Sequence, residues 1–105
     1  MTEKEIEKVL TSEVKKLGGR AYKFVSPGNN GVPDRMVIFP GQAPVFVELK
    51  TEKGQLSALQ KIQISRLRDL GQQVEVVRGI RGVAIFFEDL GYLDAASFVS
   101  TRYNL

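Results

Sequence analysis

The sequence predicts an α/β fold in which helices flank a mixed sheet, with the element order αβββαβ. Three observations support this prediction. The chain has 105 residues, the length of a single domain over residues 1–105. Apolar residues recur at helical spacing in two segments, and four short segments of strand-like composition are separated by turn-forming residues. The fourth strand follows a helix, so a right-handed crossover would place it parallel to a strand of the preceding hairpin.

The first helix is predicted over residues 2–17. Thr2 is a suitable N-cap, acidic residues follow it in the first turn, and two glycines end the segment. The apolar stripe of this helix consists of Ile6, Val9, Leu10, Val14 and Leu17. A short strand is then expected over residues 21–25, before the turn-rich loop SPGNNGVP.

The remaining elements follow from the same signals. Residues 35–39 and 45–50 are separated by PGQAP, which is the pattern of a β-hairpin. Residues 55–70 predict a second helix and residues 72–77 the last strand. The later segment VAIFFEDL has the composition of a strand but the apolar spacing of a helix, and we favour the helix.

Composition excludes several kinds of chemistry. The chain has no Cys and no His, so disulfides, thiol catalysis, Cys/His zinc sites and imidazole catalysis are excluded. A net charge of +3 suits a polyanionic partner. The N-terminus is charged and no long apolar run occurs, so we expect a soluble protein inside the cell with no membrane partner.

Charged residues interrupt the apolar segment VFVELK. On a strand, Glu48 and Lys50 share one side with Phe46 and lie about 7 Å apart. Asp34 precedes the neighbouring strand, and a register that sets it opposite residue 48 or 50 brings it to the same side. Two carboxylates that lie so close repel each other unless a proton or a cation lies between them. The pattern therefore predicts a metal site.

The same residues carry a family resemblance. Asp34 after Pro33, with Glu48-Leu49-Lys50 fourteen residues further on, resembles the PD-(D/E)xK nuclease superfamily. The longer string GVPDR…FVELK…LSALQ resembles its VRR-NUC branch, and the similarity covers roughly residues 5–78. The resemblance implies that the αβββαβ core has the restriction-endonuclease-like fold.

The resemblance also implies roles for individual residues. Asp34 and Glu48 would bind Mg²⁺ or Mn²⁺ together with the backbone carbonyl of Leu49. Lys50 would orient or activate the attacking water and help to neutralise the charge that develops on the phosphate. Gln60, early on the second helix, matches a glutamine that closes the site.

The family also places a glutamate on the first helix, and two residues compete for this role. Helical geometry leaves both open, because Glu7 projects beside Val14 and Glu13 projects between Val9 and Leu17. The family pattern places its glutamate about ten residues before the last apolar residue of the helix. This position fits Glu7, and Glu13 is kept as the alternative.

The resemblance implies a metal-dependent DNA endonuclease that hydrolyses phosphodiester bonds. Such domains resemble phage and bacterial replication and repair enzymes, so we expect it in the cytoplasm of a bacterium or phage-infected host, acting on branched DNA such as four-way junctions. Lys23 and Arg35 flank the loop before Asp34 and are predicted to contact DNA. One alternative is a catalytically silent nucleic-acid-binding module of the same fold, and another is a structural or inhibitory phage protein.

We also expect a homodimer. Cutting both strands of a branched duplex requires two sites, most simply related by a two-fold axis. The C-terminal third carries more apolar side chains than a small core obviously needs: Val83, Ile85, Phe86, Phe87, Tyr92, Leu93, Phe98 and Val99. The alternative is that these residues complete the core of the monomer.

Overall fold

Four helices and four strands make up the computed structural model, which describes all 105 residues. In chain order they are α1 (Glu3–Lys16), β1 (Arg20–Lys23), β2 (Arg35–Ile38), β3 (Val45–Lys50), α2 (Ala58–Asp69), β4 (Gln73–Arg78), α3 (Gly79–Asp89) and α4 (Leu93–Arg102). The predicted order αβββαβ is confirmed, and two further helices follow it. None of the helices combines the length and the apolar character needed to cross a membrane.

The strands form one mixed sheet in the order β1-β2-β3-β4. β1 pairs antiparallel with β2 and β2 pairs antiparallel with β3, whereas β4 runs parallel to β3 after the α2 crossover. In the hairpin Arg35 lies opposite Val47, and across the parallel pair Glu48 lies opposite Val76. The sheet is therefore mixed, as the sequence predicts, and β3 lies between two hydrogen-bonded neighbours.

Capping interactions define where α1 begins and ends. The hydroxyl of Thr2 accepts a hydrogen bond from the Glu5 N–H at 3.1 Å, and the Glu5 carboxylate accepts one from the Thr2 N–H at 3.0 Å. At the other end Gly18 has a φ of 79°, a conformation in which side chains are strained. These signals are local in sequence, so the predicted helix agrees with the observed one to within a residue at each end.

The start of α2 differs from the prediction. We expect a helix from residue 55, but it begins at Ala58 with Ser57 as its N-cap. The hydroxyl of Ser57 accepts a hydrogen bond from the Gln60 N–H at 3.1 Å, and the Gln60 side-chain oxygen accepts one from the Ser57 N–H at 2.9 Å. This capping box satisfies two backbone donors only if the helix begins here.

One side of the sheet carries the main core. α1 and α3 pack against this side, and α4 packs against α3. On the other side α2 packs against β4, where Ile64 and Val74 are buried, while Tyr22 on β1 is exposed. The 16 buried residues of the main core are Ile6, Leu10, Val14, Val37, Phe39, Val45, Val47, Leu49, Val77, Val83, Ala84, Phe86, Phe87, Ala95, Ala96 and Val99.

The C-terminal third mostly completes the core of the monomer. VAIFFEDL lies in α3 up to Asp89, with its last residue as the C-cap, so the helix prediction is confirmed. Tyr92 stacks on Phe39 with 4.5 Å between ring centroids. Of the apolar residues that suggest a dimer, Val83, Phe86, Phe87 and Val99 are buried within the chain, while Ile85, Leu93 and Phe98 are exposed. The apolar excess is therefore largely used inside one subunit, which weakens that argument for a dimer.

Candidate active site

Glu48 is a buried carboxylate on β3, with only 1% of its surface exposed. One carboxylate oxygen accepts a hydrogen bond from the Gln60 side-chain amide at 3.1 Å and lies 3.6 Å from the Lys50 ammonium. The other oxygen, Oε1, is buried and has no hydrogen-bond partner. Buried polar atoms normally have a partner, because an unpaired one costs about 1–3 kcal/mol. The free oxygen of Glu48 is therefore available to a ligand.

Asp34 lies on the same side of the sheet as Glu48. It directly precedes β2, and extending the pairing of Arg35 with Val47 by one residue sets Asp34 opposite Glu48. Its carboxylate accepts a hydrogen bond from the Leu49 N–H at 2.9 Å, which fixes the side chain against β3. The geometry agrees with the prediction from strand alternation, and the two carboxylates adjoin each other.

The surroundings of Glu48 disfavour its ionised form. Burial raises the pKa of Glu48 from 4.5 to about 7, and the charges of Asp34 and Glu3 also raise it, while the Lys50 ammonium lowers it. The protein itself therefore supplies too little positive charge to keep this carboxylate fully ionised near neutral pH. A cation bound at the free oxygen would supply positive charge and favour the ionised form of Glu48.

A divalent ion fits the donors that are present. No three acidic side chains lie close enough together to hold an ion by themselves. Asp34, Glu48 and the Leu49 carbonyl would offer three oxygen donors, and Mg²⁺ is commonly held by one or two carboxylates with water and substrate phosphate completing its shell. The unpartnered Glu48 oxygen supports the same conclusion, and the lack of His and Cys excludes a softer donor set.

Gln60 and Lys50 complete the cluster around Glu48. The oxygen of the Gln60 amide caps α2, and its nitrogen donates to Glu48. Lys50 is two residues from Glu48 on β3, so it lies on the same side, and its side chain is 14% exposed. The structure thus brings together the predicted residues Asp34, Glu48, Lys50 and Gln60.

The two candidates on α1 lie in different places. Glu7 borders a cavity of about 490 Å³ that is also lined by Asp34 and Leu49, and its carboxylate accepts a hydrogen bond from the Arg35 guanidinium at 2.9 Å. Glu13 is buried, pairs with Lys16 at 2.8 Å and faces a groove beside α4. Of these two candidates, only Glu7 lies beside the carboxylate pair.

Glu3 also lies at this site, although sequence reasoning missed it. It lines the same cavity one turn before Glu7, and its charge contributes to the raised pKa of Glu48. The sequence feature that points to Glu3 is its four-residue spacing from Glu7, which puts both side chains on one helix face. An acidic residue in the first turn of a helix is common for helix stability alone, so the sequence does not single out Glu3.

The residues predicted to contact DNA lie on the α1 side of the sheet. Lys23 is exposed and lines the cavity with Asp34. Arg35 donates to Glu7 and also to the Ala21 carbonyl at 2.9 Å, so two of its donors are used within the protein. Contact of either residue with DNA stays a prediction.

The loop before Asp34 packs on the first turn of α2. Gly31 has a φ of 90°, and a Cβ there would lie 2.7 Å from the Leu59 carbonyl carbon. Gln63 donates a hydrogen bond to the Asn30 carbonyl at 3.3 Å, so it holds the loop and does not contact the carboxylates. The loop before Asp34 and the first turn of α2, which carries Gln60, are thus positioned together.

Comparisons with known proteins identify relatives of this chain. The model of the VRR-NUC domain family matches residues 1–81. A protein of Acyrthosiphon pisum secondary endosymbiont phage 1, named "Putative nuclease p44", is 51% identical over 75 residues, which are 71% of this chain and 81% of the phage protein. A solved structure described as a VRR_NUC domain is 30% identical with a TM-score of 0.76, and the match covers 82% of this chain and 94% of that one.

These matches confirm the family and the fold that the sequence predicts. The family model covers most of the chain, including every residue of the cluster around Glu48. The solved structure has the same mixed α/β architecture. The chain therefore belongs to the VRR-NUC domain family of nucleases.

Proposed function

We propose that the protein is a divalent-metal-dependent DNA endonuclease whose active site is the cluster around Glu48. The observation that carries this proposal is the buried Glu48 carboxylate, which has one unpartnered oxygen and adjoins both Asp34 and Lys50. A structural carboxylate would have its oxygens paired within the protein. A carboxylate that binds a cation keeps an oxygen free of protein partners for that cation.

Each residue has a defined role in hydrolysis. When bound, Mg²⁺ or Mn²⁺ supplies Lewis acidity to the phosphate and makes a nearby water more acidic. Asp34, Glu48 and the Leu49 carbonyl would hold the ion, and Gln60 orients Glu48 through its hydrogen bond. Glu3 or Glu7 would add an acidic group from the opposite wall of the cavity.

Lys50 supports the bond changes with positive charge. The water oxygen forms a bond to phosphorus, the bond from phosphorus to the 3′-oxygen breaks, and the proton lost by water balances the one gained by the leaving oxygen. The Lys50 ammonium lies 3.6 Å from Glu48, where it would orient the water and offset the negative charge that develops on the phosphate. The products are a 5′-phosphate and a 3′-hydroxyl.

The substrate we propose is branched DNA, including four-way junctions, in phage or bacterial replication and repair. The match to a phage protein named as a nuclease supports this setting. Each chain has one carboxylate cluster, so cutting both strands of a junction would use two chains related by a two-fold axis. Sedimentation at micromolar concentration tests the homodimer, and a mass of 11.7 kDa would contradict it.

Cleavage assays test the nuclease. Labelled linear, flap and four-way-junction DNA is incubated with Mg²⁺, Mn²⁺ or EDTA and with the wild type or Glu48→Gln. Glu88→Gln, an exposed position on α3, is the matched control for removal of one negative charge. We expect cleavage only with metal, lost in Glu48→Gln and kept in Glu88→Gln. Binding without cleavage under every condition would instead support the silent binding module.

A further inference from the structure

The sheet face opposite α1 and α3 is left bare over β1 and β2. On this face α2 packs against β4, where Ile64 and Val74 are 4% and 2% exposed. No helix covers the neighbouring part of the face, where Met36 and Phe46 are half-buried and Tyr22 is 52% exposed. An aromatic and apolar surface therefore remains open to solvent.

This bare surface adjoins the carboxylate cluster. Strand alternation and register place Tyr22 and Phe46 on the same side of the sheet as Asp34 and Glu48. The N–H of Phe24 donates to the Asp34 carbonyl at 2.9 Å, and the Phe24 ring packs against Phe46 with 5.2 Å between centroids. Glu48 is two residues from Phe46, so about 7 Å separates the aromatic rings from the cluster along the strand.

The charges around the surface are basic. Strand alternation places Arg20, Lys50 and Arg78 on this face, and the acidic residues that the sheet contributes to it are Asp34 and Glu48. The helix on this face, α2, carries three basic residues and one acidic residue. A polyanion that lies across the face would therefore meet positive charge on both sides of the aromatic rings.

We infer that this surface, formed by Tyr22, Phe24, Met36 and Phe46 and here called the aromatic face, binds the unpaired bases of a DNA strand beside the bond to be cut. Aromatic rings framed by basic residues are the usual means of binding single-stranded nucleic acid, because any base stacks on a ring while its phosphates meet the cations. Bases inside a duplex are already stacked on one another and do not use such a surface.

The inference rests on the proposed function for its substrate, and it gives branch selectivity a physical basis. A junction or flap offers unpaired bases close to the scissile phosphate, whereas a continuous duplex offers none. The aromatic face would hold those bases while the phosphate lies at Asp34 and Glu48. The preferred substrate class is therefore DNA with an unpaired segment next to the cleaved bond.

Binding measured without metal tests the aromatic face separately from cleavage. Fluorescence anisotropy in EDTA compares a labelled oligothymidine with a duplex of equal length. Tyr22→Ala is expected to weaken binding of the single strand by about tenfold, the effect of removing one stacking ring, and to leave duplex binding within about twofold. Tyr22→Phe keeps the ring and should bind as the wild type does. Ile85→Ala, at an exposed apolar position on α3, is the control for loss of surface area.

A spectroscopic reporter distinguishes stacking from simple attraction between charges. The protein has no tryptophan, so Tyr22→Trp introduces a single one on the β1 edge of the aromatic face. Its fluorescence should be quenched by oligothymidine and much less by duplex at equal saturation. Because Tyr22 is half-exposed, these variants should keep the fold, and circular dichroism checks this.

Three results would overturn the inference. They are unchanged single-strand binding in Tyr22→Ala, equal losses for single strand and duplex, and a wild-type dimer that Tyr22→Ala converts to a monomer, which would mean that a second copy covers the face. The nuclease proposal fails by a different result. Quenching by a single strand with no cleavage of any substrate would support the aromatic face and contradict the nuclease.

Discussion

Replacing Glu48 with glutamine should remove a loss of stability that the metal-free protein undergoes as the pH rises, although it also removes a proposed metal ligand. Burial beside Asp34 raises the pKa of Glu48 from 4.5 to about 7. A group whose pKa is raised on folding contributes stability that is present in full below its unfolded value and is lost as the pH rises through its folded value. The wild type should therefore lose stability between pH 4.5 and about 7 and change little from this source above that range.

The magnitude follows from the two pKa values. A rise from 4.5 to about 7 corresponds to a loss of about 3 kcal/mol in the free energy of unfolding at pH 8 and about 1 kcal/mol at pH 5. Glutamine has nearly the same size, keeps an acceptor for Gln60 and does not titrate. The stability of Glu48→Gln relative to the wild type should therefore grow by about 2.5 kcal/mol from pH 5 to pH 8.

Urea unfolding in EDTA at several pH values measures this difference directly. Thermal unfolding should show it as a relative gain of about 10–20 °C in the midpoint of the variant, since 1 kcal/mol corresponds to about 4–8 °C in a domain of this size. Glu88→Gln controls for the loss of one negative charge at an exposed position. A stability difference between Glu48→Gln and the wild type that stays constant with pH would refute the reasoning.

Further predictions concern the metal, the lysine, the loop and the first helix. At pH 8, Mg²⁺ should raise the midpoint of the wild type and not that of Glu48→Gln, and equal shifts would contradict the metal site. Lys50→Ala should abolish cleavage but keep the fold and most of the DNA affinity, because the affinity depends on many phosphate contacts. Near-normal turnover in this variant would show that the active site lies elsewhere. Gly31→Ala should cost about 1–3 kcal/mol more in unfolding free energy than Gly28→Ala. Both glycines have positive φ, but only Gly31 lies against the backbone of another segment, so equal costs would contradict this contact. Glu3→Gln removes a charge that raises the pKa of Glu48. Between pH 5 and 8 this variant should therefore lose less stability than the wild type, and an equal loss would place Glu3 away from the site.

Much of the fold was predictable because its signals are local in sequence. The Thr2 cap and the glycine after α1 define the first helix, and the alternation along β3 places Glu48 and Lys50 on one side. The parallel β4 follows from the handedness of a strand-helix-strand connection. The motif around Asp34 and Glu48 then located the cluster within that fold.

The features that escaped prediction depend on contacts between distant segments. Apolar spacing alone extended α2 back to residue 55, whereas the Ser57 capping box sets its actual start. Glu3 affects Glu48 because α1 packs against β3, whereas its spacing from Glu7 shows only that the two glutamates share a helix face. The bare face beside Tyr22 depends on where α2 settles on the sheet, and that position is set by the buried contact of Ile64 with the face of β4.

The double use of Gln60 links the opening of a helix end to the state of the candidate active site. The same side chain closes the capping box of α2 and holds Glu48, so fraying of the first turn of α2 also releases the carboxylate. Helix ends open more readily than the rest of a fold, and such local openings control amide hydrogen exchange. The exchange rates of the amides at Gln60 and Lys61 would therefore report how often the cluster around Glu48 comes apart, and a ligand held at Glu48 would slow them from a distance.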